Sequence, residues 1–227
     1  MMSVSFSSSK RVRPSAFRLG PTAQVCESCC QRRPEVVYRP GLALIRIGER
    51  VLRDDYTSVV LPFLRLGAVI DDFRAVHIRT PAATLPAHVT LLAPFVTPEE
   101  VDGACLERLG SLFRNESPLT LTFARLGRFN AAEVLYLAPD PTAPLERLAR
   151  AIHRIGGAPD LPPGEHVFHL TVAHRSGHIE KAESEFIDRY GGNLPFTETP
   201  SAAVLYEKRN GAWQSRATFP FSRAGAP

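Results

Sequence analysis

An α+β fold of two similar lobes, each a mostly antiparallel sheet covered by helices, is what this 227-residue sequence predicts. Three observations carry that reading. His88-Val89-Thr90 and His169-Leu170-Thr171 repeat one His-x-Thr triplet in two short apolar runs. From Tyr56 on, the order reads strand, helix, His-strand, helix, strand, strand, helix, His-strand, helix, strand, strand, so a four-element unit occurs twice. The chain then closes on a hairpin pattern, with Asn210-Gly211 between Ala202–Tyr206 and Trp213–Phe221.

Taken in order, Thr57-Ser58-Val59-Val60-Leu61 reads as a strand that stops at Pro62. Leu66, Val69, Ile70, Phe73 and Val76 recur at helical spacing. A linker over Thr80–Ala87 delivers the chain into Pro86-Ala87-His88-Val89-Thr90-Leu91-Leu92-Ala93-Pro94-Phe95, the first His strand. Thr97-Pro98-Glu99-Glu100 is a helix start with a capping box, followed by the stripe Val101, Cys105, Leu109, Leu112 and Phe113. Leu119–Phe123 and Glu133–Leu137 read as strands either side of a turn region, Gly127–Ala132. A helix with Leu145, Leu148, Ala149, Ile152 and Ile155 on one face runs to Gly156-Gly157, and a Pro-rich loop to Pro163 leads to the second His strand, Phe168–His174. Ile179, Ala182, Phe186, Ile187 and Tyr190 mark the last helix, stopped by Gly191-Gly192.

Composition narrows the setting. Hydrophobic residues make up 44% and charged residues 22% of the chain, as in ordinary soluble domains. No apolar run approaches the roughly 20 residues of a membrane helix, and no apolar h-region follows the N-terminal charges. The net charge of +4 is concentrated in residues 1–55, which hold ten Lys/Arg against five Asp/Glu. That part is expected to be a disordered basic extension, and residues 56–227 the two-lobed domain. The first 25 residues have four bases and no acid, a composition shared with organellar transit peptides. Gly41–Ile47 is a short apolar run whose structure the pattern leaves open. Cys26, Cys29 and Cys30 supply only half of a zinc site, and Cys105 reads as a small buried helix residue. With no disulfide framework, the expected location is a reducing cytoplasm.

In a strand, residues i and i+2 share a face. His88 then points with Thr90 and His169 with Thr171, and the two pairs are expected to face each other across one cleft. Histidine gives or takes a proton near neutrality. Two of them on opposite sides of a scissile bond divide the work, one taking a proton from the attacking group and one protonating the leaving group. Threonine hydroxyls beside them hydrogen-bond the non-bridging oxygens of a phosphate. The set suits phosphodiester chemistry, cyclic phosphates above all, without a metal. One His-x-Thr alone reads most simply as a locally satisfied strand residue, but two in matching halves do not. A metal site would draw on His166, His169 and His174, yet His166 and His174 lie at odd separations from His169 and a regular strand turns both away, unless a bulge restores His174. A Ser-His-Asp hydrolase lacks its Gly-x-Ser-x-Gly elbow.

The run His88-Val89-Thr90-Leu91-Leu92-Ala93-Pro94-Phe95, paired with His169-Leu170-Thr171, resembles the two-histidine (2H) phosphoesterases, in particular their 2′-5′ RNA ligase-like branch. The resemblance extends over Tyr56–Phe221. It implies a bilobed fold with a pseudo-twofold cleft and one His–Thr pair per lobe. It also implies metal-independent action on 2′,3′- or 1″,2″-cyclic phosphates, or reversible 2′-5′ joining of RNA ends, with no cofactor. Carried over, His88 and His169 are the acid–base pair and Thr90 and Thr171 hold the phosphate. Which histidine is base and which acid stays open. Some members carry an arginine five residues after the second histidine. Here His174 occupies that place, followed by Arg175, and His174 is a candidate substrate contact. The expected partner is a nucleotide cyclic phosphate or RNA end, bound by a monomer away from membranes. Two other functions compete: a binding module that holds a nucleotide or RNA end in the same cleft without turnover, and a docking protein that works through its basic tail.

Overall fold

Aliphatic runs bounded by proline and glycine become strands, and the helical stripes become helices, largely where the patterning places them. The computed structural model describes residues 55–79, 85–157 and 166–222, and the backbone alone of three earlier strands. Those three, β1 (Val37–Arg39), β2 (Leu42–Ile47) and β3 (Arg50–Leu52), form an antiparallel meander. No regular element was expected there apart from the open question at Gly41–Ile47; β2 answers it, with turn chemistry, Pro40-Gly41 and Gly48-Glu49, on either side in the sequence. The disorder expected of residues 1–36, their cysteine cluster, the linker at 80–84 and the Pro-rich loop at 158–165 lie outside the described residues.

The main sheet has eight strands: β4 (Tyr56–Pro62), β5 (His88–Leu92), β6 (Leu121–Phe129), β7 (Val134–Asp140), β8 (Leu170–His174), β9 (Phe196–Glu198), β10 (Ala202–Arg209) and β11 (Ala212–Pro220). Their order is β11-β10-β4-β5-β8-β7-β6-β9, antiparallel at every step. That order is pseudo-symmetric about the β5–β8 boundary. Each half is four strands wide, and each His strand lies beside the strand that precedes it through a helix. Within the sheet the halves pair at one position, Val89 opposite Leu170, and an isolated bridge from Ile78 to His174 adds a second backbone link. β9 was not expected; at three residues it is too short to show an alternation. β6 extends six residues past Phe123, into the first half of the segment read as a turn, and the rest of it, Asn130–Ala132, is a 3₁₀ turn.

Four α-helices, α1 (Leu64–His77), α2 (Gly103–Arg114), α3 (Ala143–Ile155) and α4 (Ile179–Tyr190), cover one face of this sheet. The capping box at Thr97 forms, with the Thr97 N–H donating to Glu100 Oε2 at 2.9 Å, but it closes a single 3₁₀ turn. α2 starts afresh at its own cap, where Asp102 accepts from the Cys105 N–H at 2.7 Å. In α1 the buried stripe is Leu66, Ile70 and Phe73; Val69 and Val76 lie on the exposed side. Ile187 of α4 is likewise exposed. The helices do not stay with their own halves. α1 packs on β8 and α3 on β5, so each crossover helix roofs the other half's His strand. One continuous core results, in which Phe63 and Phe123 from opposite halves meet edge to face at 5.0 Å. Burying each such phenylalanine contributes about 2–3 kcal/mol.

Candidate active site

The site is built on the pair Val89–Leu170. Both side chains are fully buried in the core, so their neighbours project from the opposite face. Counting outward along antiparallel strands sets His88 across from Thr171 and Thr90 across from His169. The four expected residues therefore come together as one diagonal quartet, half-buried, on the side of the sheet away from the helices.

Two bulges sharpen this arrangement. Val59 pairs with Leu92 but Val60 with Thr90, which leaves Leu91 as an extra residue on β5. Leu135 pairs with Ala173 but Tyr136 with Thr171, which leaves Val172 extra on β8. Each bulge falls three residues after its histidine. Each resets the alternation, so that Leu91 and Leu92 both face the core, as do Val172 and Ala173. His174 is thereby returned to the face of Thr171, half-buried, where a regular strand would have turned it away. Its counterpart in the first half is Ala93, so one half offers an imidazole where the other offers a methyl group.

The two histidines are held alike. His88 Nδ1 lies 2.7 Å from the Pro86 carbonyl oxygen, and His169 Nδ1 lies 2.8 Å from that of Val167. A carbonyl only accepts, so Nδ1–H is the donor in both rings and Nε2 is the nitrogen left for chemistry. Among the described residues neither Nε2 has a hydrogen-bond partner, nor do the hydroxyls of Thr90 and Thr171.

Their electrostatics differ. Burial pushes His88 down from 6.5 to about 4; the hydrogen bond to Pro86 opposes this, and the Arg74 cation and His169 add to it. Burial also holds His169 below its ordinary value, opposed by the bond to Val167 and reinforced by His166. His174 is lowered by burial and by Arg175, with Glu133 opposing.

Arg74 is the residue that sequence reasoning missed. It lies on α1 with its side chain only 6% exposed. Its Nε donates to the Thr171 carbonyl at 3.2 Å, and Nη2 to those of Leu85 at 3.2 Å and Pro86 at 3.5 Å. Nη1 pairs with Asp71 Oδ1 at 2.6 Å. One buried cation thus binds the approach to β5 and the middle of β8, where a single-pair junction would leave carbonyls unsatisfied. His166 stands near the Thr90 backbone, which offsets part of the lowering that burial imposes on its ring. It precedes β8 rather than lying in it, so the argument that alternation turns it away does not apply. Among the described residues no cluster of three His, Cys, Asp or Glu side chains is placed to ligate one ion.

An aromatic wall flanks His169. Phe129 meets its ring edge-on at 5.1 Å and Tyr136 lies at 5.4 Å. Tyr136 lies over Gly127, where an added Cβ would fall 2.4 Å from the ring; only glycine permits that approach.

The sequence profile of the 2′-5′ RNA ligase superfamily matches residues 62–211, which span both His–Thr pairs. The chain belongs to this superfamily. Among curated relatives, a protein of Bacillus licheniformis named provisionally as a phosphoesterase is 25% identical over 177 residues, covering 72% of this chain and 96% of its own. Another so named, from Geobacillus kaustophilus, is 26% identical over 174 residues, covering 72% and 94%. Of solved structures, E. coli LigT complexed with NADP+ superposes with a TM-score of 0.52 at 16% identity, covering 74% of this chain and 99% of LigT. LigT complexed with 3′-AMP gives 0.50 at 14%, with the same coverage. These likenesses establish the superfamily's bilobed α+β fold. No helix among the described residues is long and apolar enough to cross a membrane.

Proposed function

We propose that this superfamily member is a phosphoesterase that opens cyclic phosphodiesters, such as 2′,3′-cyclic phosphates on nucleotides or RNA ends, or acts on 2′-5′ RNA linkages, without a metal. The observation that carries the reading is the quartet: two imidazoles with Nδ1 anchored and Nε2 unengaged, set diagonally with two unengaged threonine hydroxyls on one face. The phosphoesterase names of the curated relatives, and the NADP+ and 3′-AMP held in the LigT complexes, agree with it.

In the proposed reaction the hydroxyls of Thr90 and Thr171 donate to the non-bridging oxygens of the phosphate. His88 Nε2 takes a proton from water as its oxygen attacks phosphorus in line. The bond from phosphorus to one ring oxygen breaks, and His169 Nε2–H protonates that oxygen. The products are a phosphomonoester and a free hydroxyl, with one proton moved from His169 to His88 overall. Arg74 supports this division of roles, since a cation beside His88 disfavours its protonated form and keeps it ready as the base. In the joining direction the roles exchange.

This division fixes the sign of the pH dependence. The base must be neutral, so kcat/KM rises with pH through the His88 value of about 4. The acid must be protonated, so kcat/KM falls as pH passes the His169 value, below 6.5. A bell with its optimum on the acid side of neutrality is expected. Activity that climbs through pH 8 would refute the assignment of roles.

The test is hydrolysis of nucleoside 2′,3′-cyclic monophosphates by the full chain in excess chelator. Product formed at the same rate with and without chelator is expected, and the position of the new phosphate reports which oxygen left. Loss of activity in chelator would point to metal chemistry, and saturable nucleotide binding with no product to a binding module.

A further inference from the structure

The face that carries Thr90 continues across the N-terminal half of the sheet, and what it carries there differs from the C-terminal half. Val60 pairs with Thr90 and with Val204. The pseudo-twofold places Tyr136 and Gly127 at the equivalent positions, since Tyr136 pairs with Thr171 and with Gly127. One half therefore has an aromatic ring beside the reacting position, and the other has two small buried aliphatics. In that second half the aromatics lie further out, first Tyr206, opposite Ser58 and two residues along β10 from Val204, and then a ring pair beyond it. Tyr56 is four residues along β4 from Val60, about 13 Å away at strand spacing. Lys208 pairs with Tyr56, and Trp213 with Lys208, so all three share the face of Thr90. The Tyr56 and Trp213 rings meet edge to face at 5.5 Å, and the Lys208 ammonium lies 5.4 Å from the centre of the Tyr56 ring. The neighbouring Arg209 is tied to Glu207 and Glu99, whereas Lys208 has no carboxylate partner among the described residues.

A ring pair with an uncommitted cation, on the same face as a phosphate position, is the composition of a single-strand nucleic-acid platform. Its distance decides which base it takes. The base of the reacting nucleotide does not extend that far from its own phosphate, while the base of the adjoining nucleotide does. We infer that Tyr56, Lys208 and Trp213 form a second nucleoside subsite, so that the preferred substrate is a single-stranded RNA end of two or more nucleotides. The terminal cyclic phosphate lies at the quartet and the preceding base stacks on the Tyr56–Trp213 pair. Lys208 meets the phosphate between them. The inference rests on the phosphoesterase reading for its turnover but not for its binding.

Trp213 is the sole tryptophan of the chain, which gives the subsite its own optical signal. The experiment compares a nucleoside 2′,3′-cyclic monophosphate with the dinucleotide bearing the same cyclic end, in wild type, Trp213→Ala and Lys208→Gln. Wild type is expected to favour the dinucleotide by about tenfold in kcat/KM. Trp213→Ala should lose that preference and keep the mononucleotide rate, which also shows that it folds. Lys208→Gln should lose part of it. In parallel, a dinucleotide 3′-phosphate should quench the fluorescence of the wild-type protein while the mononucleotide does not. Equal kcat/KM for both substrates in wild type, or a Trp213→Ala loss that falls equally on both, overturns the subsite. Quenching without turnover of either substrate upholds the subsite and sinks the phosphoesterase reading. Neither quenching nor turnover sinks both.

Discussion

Replacing His169 or His88 with alanine is expected to lower kcat on a 2′,3′-cyclic phosphate by about 10²–10⁴-fold each, the span that a positioned acid or base contributes. Neither ring belongs to the core; both are half-buried, and among the described residues each holds one main-chain carbonyl, at Pro86 and Val167. The variants should therefore fold, with circular dichroism and urea midpoints close to wild type. On the proposed roles KM should change little, because Thr90 and Thr171 rather than the imidazoles would hold the phosphate. Groups that act as a unit are not additive, so the double variant should be scarcely slower than the slower single one. Undiminished turnover in both single variants would end the two-histidine mechanism for this chain.

The second large effect concerns Arg74. Arg74→Met keeps the stem of the side chain and removes the cation. Three carbonyls, of Thr171, Leu85 and Pro86, then lose a donor, and Asp71 loses its ion pair. Leaving buried acceptors unmet costs about 1–3 kcal/mol each, and less for Asp71, which is half exposed. A loss of about 3 kcal/mol in urea unfolding is expected. A purely structural brace would stop there. Because the cation also disfavours protonated His88, its removal should raise the His88 value from about 4, moving the acidic limb of the kcat/KM profile to higher pH. An unmoved limb would confine Arg74 to bracing, and an unmoved urea midpoint would remove even that.

The repeat of His-x-Thr within apolar runs foretold both His strands, and with them the pairing of four side chains on one face, because period-two alternation is a local property. The places where reading failed are those set by distant partners. The bulges at Leu91 and Val172 break the alternation, yet neither residue differs from an ordinary strand residue; the register of β4 and β7 creates them. His174 was accordingly turned the wrong way by the regular-strand argument, and only the allowance for a bulge kept it in view. Arg74 looks like the solvent side of an amphipathic helix, and three of its partners are at 85, 86 and 171. Val69 and Val76 fit a helical stripe as well as Leu66 and Ile70 do; the helix presses its other edge to the sheet.

The exchange of α1 and α3 between the halves has a mechanical meaning. Two four-stranded sheets that share one residue pair would ordinarily swing about that contact like a loosely pinned joint. Here each His strand is clamped by a helix whose chain is rooted on the far side, so rocking one half drags the other's roof with it. The gap between the two imidazoles is then a dimension of the frame, as in a caliper locked at one setting. For the proposed phosphoester chemistry, discrimination among substrates would then come from gauge rather than from closure of the strands.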